Sequence, residues 1–89
     1  MHSSFPTIVR TRPDAQKALG LGATAFYERV EQGLLPRPFR LGAHASGLLS
    51  TEIEAVIRAW AAGLAQDELK SLVAELTAQR QSWLTTRQK

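Results

Sequence analysis

The side chains able to take part in catalysis are few and poorly spaced for it. The chain of 89 residues has two histidines, His2 and His44, and no cysteine. No HExxH or other metal-ligand spacing occurs. Glu52 and Glu54 fall about 200° apart on a helix, which keeps their carboxylates from converging on one substrate. Gly20-Leu21-Gly22 lacks the third glycine and the preceding strand of a dinucleotide loop. These features point away from an enzyme, a metal site and a cofactor. What the chain does offer is cationic and hydrogen-bonding chemistry. Arg12, Arg37, Arg40 and His44 are suited to phosphate. Within residues 23–32, Thr24, Ala25, Glu28 and Arg29 are suited to the edges of bases. At about 100° per residue, Phe26 and Val30 share one side with Ala23 nearby. Thr24, Ala25, Glu28, Glu31 and Gln32 lie opposite, and Tyr27 and Arg29 lie on the flanks. Glu28 can accept from cytosine N4, Thr24 or Ala25 can touch a thymine methyl, and Arg29 can reach guanine or a phosphate. A short amphipathic helix with one arginine and two glutamates is also what an ordinary surface helix looks like, and two acids on the outer face oppose phosphates.

Such residues need a scaffold, and the length allows one domain. Hydrophobic residues make up 44% of the chain, which sets it apart from a disordered tail. The formal charge is +3 and the pI about 10.0. That excess lies in the first half. Residues 1–47 carry six Lys/Arg against three acids, whereas residues 48–89 carry five of each. No apolar run approaches the roughly 20 residues that span a bilayer. The first six residues lack the basic start and apolar stretch of a signal peptide, and the last helix is not basic on its polar face. A cytoplasmic protein with no membrane partner is expected.

The elements follow from local signals. Phe5 to Arg10 reads as a strand, since Thr7, Ile8 and Val9 are β-formers. Thr11 resembles an N-cap with Asp14 three residues on, opening a short helix with Ala15, Ala18 and Leu19 as its apolar face. Gly20-Leu21-Gly22 breaks that helix, and a second runs from about Ala23 to Gln32, stopped by Gly33 with Pro36 and Pro38 beyond. Helix, glycine turn, helix is the helix-turn-helix pattern. A small hairpin over residues 39–49 follows, its second arm poor in β-branched residues. Ser50 or Thr51 caps a third helix, with Glu54 completing a capping box, and Ile53, Val56, Ile57 and Trp60 form its apolar face. Gly63 ends or bends it. A last helix, about Gln66 to Trp83, carries a stripe of Leu69, Leu72, Val73, Leu76 and Trp83, with Asp67 and Glu68 at its positive end. The expected fold is mainly α with a small β-hairpin wing. A winged helix-turn-helix DNA-binding domain would occupy residues 1–62. The helix over 63–84 would pack on it or mediate self-association through Leu69, Leu72 and Leu76, and residues 85–89 would be a frayed tail.

The run Thr11-Arg12-Pro13-Asp14-Ala15, Leu19-Gly20-Leu21, Thr24-Ala25-Phe26-Tyr27, Val30, Gly33 and Leu35-Pro36-Arg37-Pro38 resembles the AlpA-type phage regulators and excisionases, which share a MerR-like winged helix-turn-helix. The resemblance continues through Arg40-Leu41-Gly42 and Thr51-Glu52-Ile53-Glu54-Ala55 and covers roughly residues 8–60. It implies that the second helix enters the major groove, that Tyr27 and Arg29 match positions of the family's Tyr-Arg-Arg stretch, and that the segment from Arg40 to Leu48 is the wing. The chain departs from the family at Ala23 and Glu28, where a basic residue is usual. It departs again at the wing tip, where His44 replaces arginine, and at Leu48 and Val56, where aromatics are usual.

Three functions fit these features. The first is an excisionase, or recombination directionality factor. It would bind attachment-site double-stranded DNA cooperatively with other copies of itself, bend it, and direct an integrase to excise a mobile element. The second is a promoter-binding transcription regulator on the same fold. The third is an adaptor that holds a protein partner through the last helix. The small size and lack of an effector domain favour the first. Arg29→Ala is expected to weaken specific binding, and Arg40→Ala to weaken binding to every sequence.

Overall fold

A computed structural model describes residues 6–87, with side chains up to residue 82. Strand β1 is Ile8–Arg10; the expected start at Phe5 lies outside the described residues. Thr11–Ala15 then makes a wide π-type turn in which Arg12 leaves helical geometry (φ −124°, ψ 132°), and α1, Gln16–Leu19, follows. Thr11 does not cap this helix. It is buried, and its hydroxyl shares a 2.8 Å hydrogen bond with Ser46 Oγ. A buried hydroxyl needs a partner of its own, and here the strand supplies it. Ala18, expected on the apolar face, is exposed, while Ala15 and Leu19 are buried.

Gly20 turns the chain at φ 71°, a left-handed conformation that L side chains avoid. Gly20 N–H donates to Lys17 O and Leu21 N–H to Gln16 O, the pair of bonds that closes many helices. Helix α2, Ala23–Glu31, starts immediately after Gly22. Phe26 and Val30, four residues apart, are its buried pair. Gly33, at φ 80°, ends it with the same hydrogen-bond pair.

Strands β2, Phe39–Arg40, and β3, Ser46–Leu49, form the expected hairpin. The sequence did not disclose that β1 joins it. The sheet is antiparallel in the order β1-β3-β2, so β3 is central. Arg10 and Phe39 both register with Gly47, and Val9 registers with Leu48. Leu48 is fully buried. Gly47 is required by close approach: a Cβ there would stand 2.9 Å from Ile8 Cγ2 and 2.9 Å from Val9 O.

Helix α3, Ser50–Ala62, begins directly from β3. The expected Thr51/Glu54 box is absent. Glu52 instead accepts from Leu49 N–H at 3.1 Å, and Glu54 pairs with Arg58 at 3.2 Å. The helix starts earlier than expected because Ser50 is tied to Thr7, the residue before β1: its N–H donates to Thr7 O, and Thr7 N–H donates to its Oγ. Ile53 and Val56 are buried as expected, but Ile57 is 40% exposed. Helix α4 is Gln66–Arg87. Glu68 accepts from Ala65 N–H at its start. Its backbone continues through residues 85–87, and residues 88–89 lie outside the description.

One apolar cluster joins Ala15, Leu19, Phe26, Val30, Leu35, Leu48, Ile53 and Val56. A second joins Leu34, Ala59 and Leu69, and Trp60 packs against both. Leu72 and Leu76 of α4 pack against these clusters too. Of the two roles read from sequence for the α4 stripe, packing on the domain or self-association, Leu69, Leu72 and Leu76 take up the first, with Leu72 and Leu76 half-buried. Trp83 lies outside the described side chains. Glu52, 2% exposed, receives Arg80 through two bonds of 2.6 and 2.7 Å. Arg80 also donates to Arg37 O at 3.0 Å and lies over the Phe39 ring. One arginine thus ties α4 to α3 and to the approach of β2. The protein is mainly helical with a small three-stranded antiparallel sheet. No helix among the described residues is long and apolar enough to cross a membrane.

Candidate nucleic-acid interface

Where the arginines go decides what the surface can do. Four are engaged within the chain. Arg37 pairs with Glu31 at 3.3 Å, Arg58 with Glu54, and Arg80 with Glu52. Arg29 holds its guanidinium 5.2 Å over the Trp60 ring, a favourable cation–π position. Arg29, read from sequence for guanine or phosphate, lies along the flank of α2 with its guanidinium towards Trp60 of α3. Arg37, also expected at phosphate, is held beside α2.

The arginines with neither an acidic nor an aromatic partner among the described residues are Arg10, Arg12 and Arg40. Arg10 and Arg12 line a cleft of about 350 Å³ together with Thr11, Tyr27, His44, Ala45 and Ser46. No acid lines it. One wall is the end of β1 and the turn after it; the other is the tip of the hairpin. The Thr11–Ser46 hydroxyl bond joins the two walls. Arg40 and His44 also border a smaller hollow with Ala43, Ala45 and Ser46. Among the described residues, the Arg40 guanidinium makes one long bond of 3.5 Å, to Gly42 O.

Beside the cleft runs a wide open groove along α2, lined by Arg12, Ala23, Thr24, Tyr27, Glu28, Glu31 and Gln32. Arg12 and Tyr27 line both concavities, so the two meet there. Tyr27 is 42% exposed, its ring set edge-on to Phe26. Of the residues read from sequence for this face, Thr24, Tyr27 and Glu28 are in the groove. Ala25 is half-buried and does not line it, and Ala23, assigned to the core side, does.

Sequence reasoning missed Arg10. It was counted with the strand, although alternation along β1 carried the signal. Val9 faces inward onto the core, so its neighbours Ile8 and Arg10 must face outward. Comparison of the chain with protein-family models, with curated proteins and with solved structures finds no match. The interface stands on the residues of this chain.

Proposed function

We propose that the protein binds double-stranded DNA in the cytoplasm as a winged helix-turn-helix module. α1, the Gly20 turn and α2 form the helix-turn-helix, α2 enters the major groove, and the β2–β3 hairpin is the wing. The observation that carries this reading is the sorting of the arginines. Arg29, Arg37, Arg58 and Arg80 are engaged within the chain, whereas Arg10 and Arg12 line the cleft between Tyr27 of α2 and the hairpin, and Arg40 and His44 border the adjoining hollow at the hairpin tip. A helix that offers small and hydrogen-bonding side chains, flanked by free cations, matches how phosphate contacts position a protein while base contacts specify the site.

The resemblance to AlpA-type regulators and excisionases favours a directionality factor that binds attachment-site DNA with further copies, bends it and assists an integrase. An adaptor working through Leu69, Leu72 and Leu76 is disfavoured, since those side chains pack on the protein's own core. Fluorescence anisotropy on duplexes from around the gene, across a salt series, tests the reading. Selective binding that weakens steeply with salt, with a cooperative isotherm on longer duplexes, is expected of the excisionase. Binding confined to one short site favours a promoter regulator. Absence of duplex binding at low salt refutes both.

A further inference from the structure

Glu28 is the one charged group of the α2 groove that has neither a partner nor an obvious affinity for DNA. Glu31, three residues on, is neutralised by Arg37 at 3.3 Å. Arg12 stands at the rim, where the groove meets the cationic cleft. The Glu28 carboxylate has no hydrogen bond or ion pair among the described residues. An unpaired carboxylate brought up to a duplex is repelled by phosphates unless a donor meets it. A carboxylate is an acceptor only. In the major groove the donors are the exocyclic amino groups of cytosine and adenine. Adenine sets its N7 acceptor beside that donor on the same base edge, which suits an amide and repels a carboxylate. Cytosine presents N4 without an acceptor of its own alongside.

We propose that Glu28 is the base-reading residue of α2 and that it selects a cytosine through its N4 amino group. The proposal rests on the DNA-binding reading above and gives it a specificity. Two further features of the helix agree. The side chain best able to grip guanine, Arg29, is withdrawn over Trp60, so no arginine of α2 competes for the same base step. Thr24 lies one turn before Glu28 on the same groove wall. Four residues advance about 6 Å along the helix, close to two base steps of about 3.4 Å. Thr24 thus meets a base near the cytosine, and its methyl suits the thymine C5 methyl.

The test is selection of bound duplexes from a randomised library with the full chain and with Glu28→Gln, followed by competition anisotropy on the winning sites. Glu28 is exposed and unpartnered, so the variant keeps the fold; circular dichroism verifies it. The parent is expected to enrich a cytosine at one position, and exchanging that cytosine should lower affinity roughly five- to a hundredfold. Glu28→Gln should replace that cytosine by adenine, because the amide bonds N6 and N7 together. A parent site without a fixed cytosine, or one whose cytosine survives unchanged in the variant, overturns the proposal while leaving DNA binding intact. A chain that retains no duplex at low salt overturns the DNA reading itself, and the proposal with it.

Discussion

Removing Arg10 should flatten the salt dependence of DNA binding by a countable amount. Each phosphate neutralised by a cation contributes about −0.9 to the slope of log K against log salt on duplex DNA. Among the described residues, three arginines near the interface have neither an acidic nor an aromatic partner: Arg10, Arg12 and Arg40. Their joint contribution is a slope of about −2.7, so raising salt from about 50 to 200 mM weakens binding roughly 40-fold. Arg10→Ala brings the slope to about −1.8 and the loss to roughly 12-fold, and Arg10→Ala/Arg12→Ala brings them to about −0.9 and 3.5-fold. Other cations that meet phosphate add the same amount to every variant, so the differences between slopes are diagnostic. Arg58→Ala is the control, because Arg58 is paired with Glu54 and borders neither concavity. The assay is equilibrium anisotropy on one duplex at five or six salt concentrations. The reasoning fails if Arg10→Ala and Arg12→Ala keep the parent slope, or if Arg58→Ala changes it as much as they do.

Other variants test the fold and the division of labour. Arg80→Ala strands the Glu52 carboxylate, 2% exposed, without its partner; a loss of about 3–5 kcal/mol in urea unfolding is expected. Replacing both residues by apolar ones of similar size should recover part of it. Arg29→Ala should cost about 0.5–1 kcal/mol of stability through the lost Trp60 stacking, while the selected DNA sequence stays the same; a changed consensus would return Arg29 to the bases. Gly47→Ala should lower the melting temperature by an amount equivalent to about 1–3 kcal/mol of overpacking, since Val9 O is backbone and cannot move aside for a Cβ 2.9 Å away. Phe26→Ala, at the centre of the main cluster, should cost about 3–5 kcal/mol and abolish DNA binding through loss of the fold.

Features set by neighbours in the chain were legible in the sequence. Helix ends at Gly20, Gly33 and Gly63 could be read because a left-handed stop needs glycine locally. The Phe26–Val30 face of α2 followed from a four-residue spacing. Features set by distant partners were not legible. Thr11 looked like a cap because its real partner, Ser46, lies 35 residues away. Thr51 and Glu54 made the better capping pattern, but the pairing of Thr7 with Ser50 starts α3 earlier and hands the capping to Glu52. The pairing of Arg80 with Glu52, 28 residues apart, had no local signal, because nothing in composition marks which glutamate will be buried. In the interface, the groove face of α2 was visible from its angle. Which arginines remain free was not, since that depends on where Trp60, Glu31 and Glu52 stand in space.

The antiparallel pairing of β1 with β3 also bears on the entropy of binding. Arg10 and Arg12 arrive at the cleft from one end of the chain and His44 from a hairpin more than thirty residues on. In a looser design each would be carried on its own mobile segment and would lose its freedom upon meeting a phosphate. Here the register Arg10↔Gly47 and the Thr11–Ser46 bond make both walls part of one small sheet. The backbones bearing these groups are ordered by folding, before any ligand arrives. Only the outer rotamers of the side chains are left to immobilise, at about 0.5–1.5 kcal/mol each. A domain with so little surface to commit gains affinity by holding its cations ready, and loosening the sheet should weaken binding even where no contact to the ligand is removed.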